Sequence, residues 1–275
     1  MRLVPLAVLS GAVLMGCGSD SDSQAPGLTD QQLIDTIECS NLAWGKPHQP
    51  DSPCTANSYQ AWADWDANLQ HCKGQYCFED YSPAPANPGL TRFPQGHLIP
   101  TYSLYAEDPR FVRAMDKAEA LVGYKLFDRR GVIELDISNW FDIDYSDLPT
   151  EWGFIWSQGT TGGNCSSGTV SRGPWSMSLV GNLANPQQGL VRNLPGEFTW
   201  INIDGDEENA QEGCTVIASD EVTLHELGHA LGMKNHFRGF GDGAAFDANA
   251  ERVLRTMYNP QNPEGQPFDA LYLVD

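Results

Sequence analysis

The chain has 275 residues and a formal net charge of -20 at pH 7, from 16 lysine and arginine residues and 36 aspartate and glutamate residues. A chain of this length can bury one sizeable core, or one core and a small additional region. The acidic balance excludes nucleic acid as an expected partner, because phosphate binding requires clustered lysine and arginine.

The N-terminal segment has the features of an export signal. Arg2 provides a positive charge, and the apolar run Leu3 to Val13 is too short to cross a bilayer as a mature helix. The following Leu-Met-Gly-Cys17 resembles the bacterial lipobox, in which the cysteine is acylated and becomes the first residue after cleavage. We therefore predict a signal peptide at 1–16, a lipid on Cys17 and a flexible tether at 17–27.

This segment also predicts where the protein resides. The lipid anchor places the protein in a bacterial cell envelope, facing the periplasm or the cell surface, with the membrane as a partner. The alternative is an ordinary secretory signal cut near Cys17, which would give a secreted protein.

Six cysteines follow Cys17 in the chain. An even number in an oxidising compartment predicts three disulfides, although sequence alone does not choose among the pairings. From proximity along the chain, we expect the pairs Cys39–Cys54, Cys72–Cys77 and Cys165–Cys214.

The region 28–90 is predicted to be a small, helical, cysteine-containing unit that ends in a proline-rich linker. Thr29 to Gln32 resembles a capping box ahead of Leu33 and predicts the start of a helix. A second helix is predicted from about Ser58 to Gln70, where tryptophan and tyrosine residues recur at helical spacing and indicate a packed face.

The main domain, 91–275, is predicted to alternate strands and helices. Asp108 and Pro109 are typical of the start of one helix, and a second is expected over Asp220 to Leu231 with Ser219 as its N-cap. Strands are predicted at His97–Ser103, Val132–Ile137, Phe154–Ser157, Met177–Val180 and Phe198–Ile203. This order indicates a layered α+β or α/β domain.

The segment Thr223 to His236 contains the residues that suggest a chemistry. On a helix, His225 and His229 stand one turn above each other, where two imidazoles can bind one metal ion at about 2 Å each. Glu226 flanks that face and can take a proton from a zinc-bound water. Gly232 predicts a left-handed turn that ends the helix and lets the chain bring a third ligand to the same ion.

The histidine pattern that begins at His225 resembles the zinc signature of metzincin peptidases, H-E-x-x-H-x-x-G-x-x-H, and His-Ala-Leu-Gly-Met is similar to the matrixin branch. Thr256 to Pro260 resembles the Met-turn of the family, with Met257 in the methionine role. The resemblance implies that 91–275 is an α+β zincin domain with a twisted mixed sheet, an active-site helix and a Met-turn.

The chain departs from the family pattern at three points. Family spacing puts the third histidine at Asn235, whereas His236 lies one residue later. Imidazole is a better zinc ligand than an amide oxygen, so we expect His236, with Asn235 as the alternative. The sequence has no Pro-Arg-Cys-Gly pro-segment like that of matrixins, and only Pro267 to Val274 is left for the C-terminal helix that the resemblance implies.

Other polar segments near the motif leave alternatives open. The carboxylates of Asp204 to Glu208 can bind Ca²⁺, as family resemblance implies, although a solvated turn explains the same residues. Gly239 to Gly243 is expected to be a loop bordering the cleft, and Asp242 and Asp247 are less favoured as further ligands. Tyr258 is expected to have a packing role.

Together these features predict a zinc-dependent endopeptidase that hydrolyses peptide bonds in extracytoplasmic proteins. His225, His229 and His236 are expected to hold Zn²⁺, and Glu226 is expected to act as general base on zinc-bound water. A protein or peptide substrate is expected to extend along an edge strand of the sheet. The alternative is a zinc-binding surface lipoprotein that is non-catalytic or acts on something other than a peptide.

Overall fold

A mixed sheet of five strands lies at the centre of the part of the chain that the structure describes. The structure is a computed structural model, and it describes residues 27–41, 51–54, 89–138 without 91, 143–158, 168–170, 197–203 and 218–275 without 234. The strands are β1 (Ile99–Leu104), β2 (Phe127–Ile133), β3 (Trp152–Gln158), β4 (Gly168–Val170) and β5 (Glu197–Ile203). They lie in the order β2-β1-β3-β5-β4, and neighbours are parallel except for β4 and β5.

Helices and two very short strands complete the described fold, which mixes α and β elements in a way compatible with the predicted α+β class. The helices are α1 (Asp30–Asn41), α2 (Pro109–Val122), α3 (Asp220–Ala230), α4 (Ala248–Met257) and a 3₁₀ turn (Phe268–Ala270). The parallel pair β6 (Phe237–Arg238) and β7 (Gly241–Asp242) lies between α3 and α4. Within the described residues, no helix combines the length and the apolar content that crossing a bilayer requires.

The helix ends follow the local chemistry of the chain. Thr29 Oγ1 accepts a hydrogen bond from the Gln32 N–H at 3.3 Å, and the Gln32 side chain accepts one from the Thr29 N–H at 2.9 Å. This confirms the predicted capping box of α1. Asp108 caps α2 by accepting from the Arg110 N–H at 2.8 Å, and the helix ends at Gly123 with φ of 83°.

The predicted strands that became β1, β3 and β5 are placed to within about two residues at each end. The strand predicted at Val132–Ile137 is wrong in its bounds, because β2 covers Phe127–Ile133 instead. Strand β2 lies at one edge of the described sheet and exposes Arg129 and Arg130. Its sequence therefore lacks the apolar pattern from which a strand is predicted. Gly131, with φ of 82°, lies where the register between β1 and β2 shifts.

One predicted disulfide lies within the described residues. The sulfur atoms of Cys39 and Cys54 are at bonding distance and their Cα atoms are 6.0 Å apart, in agreement with the predicted pair. Other predictions fall outside the described residues: the signal peptide and Cys17, the helix at Ser58–Gln70, the strand at Met177–Val180, the calcium loop at 204–208, and Cys72, Cys77, Cys165 and Cys214.

The strands β1, β3 and β5 at the centre of the sheet are buried on both faces, as is usual for parallel strands. On one face Trp156 of β3 stacks on Phe111 of α2, with ring centroids 4.6 Å apart, in the core that also includes α3 and α4. On the other face the irregular segment after β2 covers the sheet. There Tyr145 contacts Phe198 at 4.7 Å and accepts a hydrogen bond from the Trp200 indole at 3.0 Å.

Two arginines of α2 fix the start of α3. Arg110 forms a buried ion pair with Asp108 at 2.6 Å and donates to the Ala218 carbonyl at 2.6 Å. Arg113 forms a second ion pair, with Asp220 in the first turn of α3, at 2.6 Å. The N-terminus of α3 is therefore tied to the helix that packs beside it.

A buried arginine organises the segment after α4. The guanidinium of Arg92 donates to the carbonyls of Met257, Asn259 and Asn262 at 2.9–3.2 Å and lies 4.9 Å from the centre of the Tyr258 ring. The Tyr258 hydroxyl in turn donates to the Leu231 carbonyl at 2.9 Å, just beyond the end of α3. This chain of hydrogen bonds connects the C-terminal turn to the end of α3.

Replacing Arg92 with methionine should destabilise the protein strongly, because three carbonyls, two of them in buried hydrogen bonds, lose their donor. We expect the free energy of unfolding to fall by about 3 kcal/mol or more in urea titrations. Arg130→Met is the control, because it removes a partly exposed ion pair with Asp128 and should cost about 1 kcal/mol or less. Equal losses in the two variants would contradict the role given to Arg92.

Candidate metal centre

Helix α3 holds two of the three histidines. It begins after Ser219, whose hydroxyl accepts a hydrogen bond from the Val222 N–H at 3.2 Å, as the sequence predicted. The helix is buried along most of its length, so its orientation is set by the core. Because His225 and His229 are four residues apart, their rings lie on one face with centroids 4.5 Å apart.

Glycine ends this helix in the predicted left-handed turn. Gly232 has φ of 109°. Its N–H donates to the His229 carbonyl at 3.0 Å, and the Met233 N–H donates to the Gly228 carbonyl at 3.0 Å. This pair of bonds is the Schellman arrangement, and it turns the chain back towards the face that carries the histidines.

His236 joins the other two rings after this turn. The ligand nitrogens of His225, His229 and His236 all lie within 4.8 Å of one another, and the ε-nitrogens of His229 and His236 are 3.2 Å apart. Two ligands of a tetrahedral zinc ion, each at its usual bond length, are separated by about 3.4 Å. The His229–His236 pair already has about this spacing, and a ligand nitrogen of His225 lies within 4.8 Å of both.

Backbone carbonyls set the tautomers of the two helical histidines. His225 Nδ1 lies 2.8 Å from the Ala245 carbonyl oxygen, and His229 Nδ1 lies 2.6 Å from that of Met233. A carbonyl only accepts, so each Nδ1 carries the proton and each Nε2 keeps its lone pair. Hydrogen bonds of this kind orient the histidine ligands of metal sites.

The three rings are neutral near pH 7. Burial, reinforced by His236, lowers the pKa of His225 to about 4. Burial and the two neighbouring rings also lower the pKa of His229 well below its usual value. Burial lowers the pKa of His236, and the Asp242 carboxylate partly opposes this. Neutral imidazole is the form that binds metal, so these residues fit a divalent ion.

Asn235, the alternative third ligand, faces a different part of the fold. Its side-chain nitrogen donates to the Cys39 carbonyl of α1 at 2.9 Å, and its backbone N–H donates to the Ser40 carbonyl at 3.4 Å. The extra residue relative to the family spacing is thus taken up by contact with α1. The structure brings His236, not Asn235, to the other histidines.

Phe240 backs all three imidazoles, a role that sequence analysis missed. Its ring centroid lies 4.2 Å from that of His225, 4.8 Å from that of His229 and 6.1 Å from that of His236. The neighbouring Gly241 lies so close to His236 that an added Cβ would be 2.6 Å from the imidazole. The sequence marked Gly239 to Gly243 only as a loop at the cleft, although its glycines signalled a close backbone approach.

The first three residues of the predicted Met-turn, Thr256, Met257 and Tyr258, are buried. Met257 is fully buried and is the last residue of α4, so a helix precedes it. The C-terminal helix implied by the family resemblance is here only the 3₁₀ turn Phe268–Ala270. Tyr258 is fully buried, burial raises its pKa, and its hydroxyl contacts the backbone at the end of α3, as a packing role requires.

The acidic candidates take different positions. Glu226 follows His225 on α3 and is 7% exposed, so it lies in a largely dry environment. Asp247 caps α4 by accepting from the Asn249 N–H at 2.7 Å. Among the described residues, the group close enough to share one ion consists of the three histidines, so Asp242 and Asp247 lie outside it.

Comparisons with known proteins do not assign the chain to a family. No family model matches it, and no curated protein or solved structure matches it either. A functional assignment therefore depends on the geometry of the three histidines and of Glu226.

Gly241→Ala should weaken metal binding, because the added methyl group would displace the His236 ring. We expect the Zn²⁺ affinity, measured by competition with a chromophoric chelator, to fall by about 10- to 100-fold. Gly243→Ala is the matched control: its φ of 84° resembles the 75° of Gly241, and nothing lies within 4 Å of its added Cβ. If both variants bind zinc equally, His236 is not held by Gly241.

The metal-free protein should lose stability as the pH falls from 6.5 to 4. The unfolded chain takes up protons near pH 6.5, whereas the folded His225 resists them until the pH approaches its folded-state pKa of about 4. The stabilisation is complete above pH 6.5 and is lost by about 3 kcal/mol for this ring towards pH 4. Urea unfolding in the presence of a chelator measures it.

Two histidine substitutions test the origin of this pH dependence, and the second of them is the control. His225→Gln should reduce the loss of stability between pH 6.5 and pH 4, because one of the buried rings that resist protonation is gone, while His229 and His236 remain. His97→Gln should leave it unchanged, since His97 is exposed. A parent protein whose stability does not change over this interval would show that the rings are not buried in neutral form.

Proposed function

We propose that this protein is a zinc-dependent endopeptidase of the metzincin type that acts on extracytoplasmic proteins. The observation that carries the proposal is the meeting of three neutral imidazoles, two of them on the helix that also carries Glu226. Three protein ligands leave a fourth position open for water or substrate, which is typical of catalytic rather than structural zinc.

His225, His229 and His236 would hold the ion through their ε-nitrogens. When bound, zinc acts as a Lewis acid that acidifies water and polarises a carbonyl group. The carbonyls of Ala245 and Met233 keep two of the rings in the required tautomer. The Phe240 ring excludes water from one side of the site and so limits the alternative positions of the imidazoles.

Glu226 is the residue that we assign as the general base. It directly follows His225, so it is carried on the same rigid helix as two of the ligands. Its carboxylate takes a proton from the attacking water and delivers it to the departing amine, which makes the amine a better leaving group. Its low exposure favours this transfer, because fewer competing waters surround the carboxylate.

Within the residues that the structure describes, β4 is an edge strand with which an extended peptide could pair. Strand β4 ends the described sheet next to β5, and α3 contacts both strands. A peptide that adds to β4 through main-chain hydrogen bonds would therefore lie beside the helix that carries the histidines. This is the support for a peptide as the substrate.

The cellular location is part of the same proposal. The lipobox-like sequence at Cys17 would anchor the protein to a membrane of the bacterial cell envelope. The disulfide between Cys39 and Cys54 supports export, because such bonds persist in oxidising compartments.

Glu226→Gln should separate catalysis from metal binding. The substitution keeps the size of the side chain but removes the base, so kcat/KM for casein-derived peptides should fall by about 10²- to 10⁴-fold. Zinc content, measured on the purified protein, should stay the same as in the parent.

Glu221→Gln is the matched control on the same helix. Its side chain accepts a hydrogen bond from the Phe246 N–H at 3.0 Å, and glutamine can still accept it, so activity should be retained. A Glu226→Gln variant that cleaves peptides as fast as the parent would refute the peptidase mechanism. Zinc binding without any chelator-sensitive cleavage would favour the non-catalytic or non-peptide alternative.

A further inference from the structure

The loop that carries His236 is held from outside by α1. We use the name ligand loop for residues 232, 233 and 235–237. The Asn41 side chain donates to the Gly232 carbonyl at 3.0 Å, and the Ser40 hydroxyl donates to the Asn235 carbonyl at 3.2 Å. The side-chain and backbone nitrogens of Asn235 donate to the Cys39 and Ser40 carbonyls, respectively. Three consecutive residues of α1 thus bind both ends of the loop.

A covalent bond closes this arrangement. Cys39 is joined to Cys54, and Cys54 forms an antiparallel bridge with Phe237, the residue that follows His236. The ligand loop therefore lies between α1 and Cys54, which are themselves connected by the disulfide. We use the name N-terminal clamp for Cys39, Ser40, Asn41 and Cys54.

The position of the ligand loop affects two of the three histidines, His229 and His236. His236 is not on α3, so the geometry of that helix cannot place it. The Met233 carbonyl, which belongs to the same loop, accepts the hydrogen bond of His229 Nδ1. Ser40, Asn41 and Asn235 are fully buried, so water cannot easily replace the hydrogen bonds that they make.

We propose that the N-terminal clamp is a positioning element of the metal centre. With Cys39 and Cys54 joined, it holds the ligand loop so that His236 reaches the ion and the Met233 carbonyl orients His229. When the clamp is broken, the third ligand is lost from its position and metal affinity falls. This inference rests on the proposed function only in that the three histidines bind a metal ion.

The test compares breaking the clamp with weakening α1 at its other end. In the full chain, the Cys39→Ala/Cys54→Ala double variant and the Ser40→Ala variant are assayed for Zn²⁺ and Co²⁺ affinity by chelator competition. Each should bind about 10- to 100-fold more weakly than the parent. The Co²⁺ absorption band should also weaken, because losing one ligand moves the ion away from tetrahedral geometry.

Thr29→Ala is the matched control. It removes the N-cap of α1, which lowers stability, but Thr29 contacts Gln32 and not the ligand loop. Its metal affinity should stay within about threefold of the parent, as expected for a residue outside the supporting shell of the site. If the clamp only stabilises the fold, Thr29→Ala and Ser40→Ala should lose metal affinity to the same extent. That result would overturn the proposal.

The remaining outcomes are also decisive. If the double variant does not fold, Ser40→Ala alone decides, since it removes a single hydroxyl. Clamp variants that bind both metals as tightly as the parent overturn the positioning role, even if the parent cleaves peptides. A parent that binds no metal, or binds it equally after His225→Ala, overturns the proposed function as well.

Discussion

The constraint on which this site depends is the close approach of two imidazole nitrogens. His229 Nε2 and His236 Nε2 are 3.2 Å apart, and the proton of His229 is fixed on its other nitrogen by the Met233 carbonyl. Two lone pairs at this distance repel unless something positive lies between them. In the metal-free protein, a proton on His236 Nε2 lies between the two nitrogens and forms a hydrogen bond to His229. A metal ion would take the place of that proton and would bind His225 as well. The fold must keep the three rings buried and within reach of one ion, and several of its elements do so.

The support comes from parts of the chain that are far apart in sequence. Helix α3 holds His225 and His229, and the arginines of α2 fix its start. At the other end of α3, the Arg92 network reaches Leu231 through the Tyr258 hydroxyl. The Phe240 ring covers one side of the imidazoles, and α1 holds the loop that carries the third. A metal site requires such support, because loss of the groups that orient its ligands weakens metal binding by about 10- to 100-fold.

The position of Phe240 distinguishes this site from the pattern that the family resemblance implies. The family resemblance assigns the hydrophobic base of the metal to a methionine turn, and Met257 is indeed fully buried. In this chain, however, an aromatic ring contacts the three imidazoles directly, and a helix precedes the methionine. Gly241, which follows Phe240, lets the loop approach the rings, since a Cβ there would collide with His236, and Gly239, which precedes Phe240, leaves room for the Asp247 carboxylate. The dry environment that lowers the histidine pKa values is thus built largely by this loop.

Local patterns in the chain were sufficient to predict the helix with His225 and His229, its N-cap, its glycine end and the three sheet strands β1, β3 and β5. These features depend on residues a few positions apart, so hydrogen-bonding and spacing rules apply directly. The same rules could not place β2, whose polar exposed face lacks an apolar pattern, and they left His236 and Asn235 as alternatives. Only the tertiary structure separated the two: Asn235 binds the last turn of α1, 196 residues away in sequence, and His236 turns to the other histidines. Contacts of that range depend on how α1 packs in the complete fold, and no local pattern encodes them.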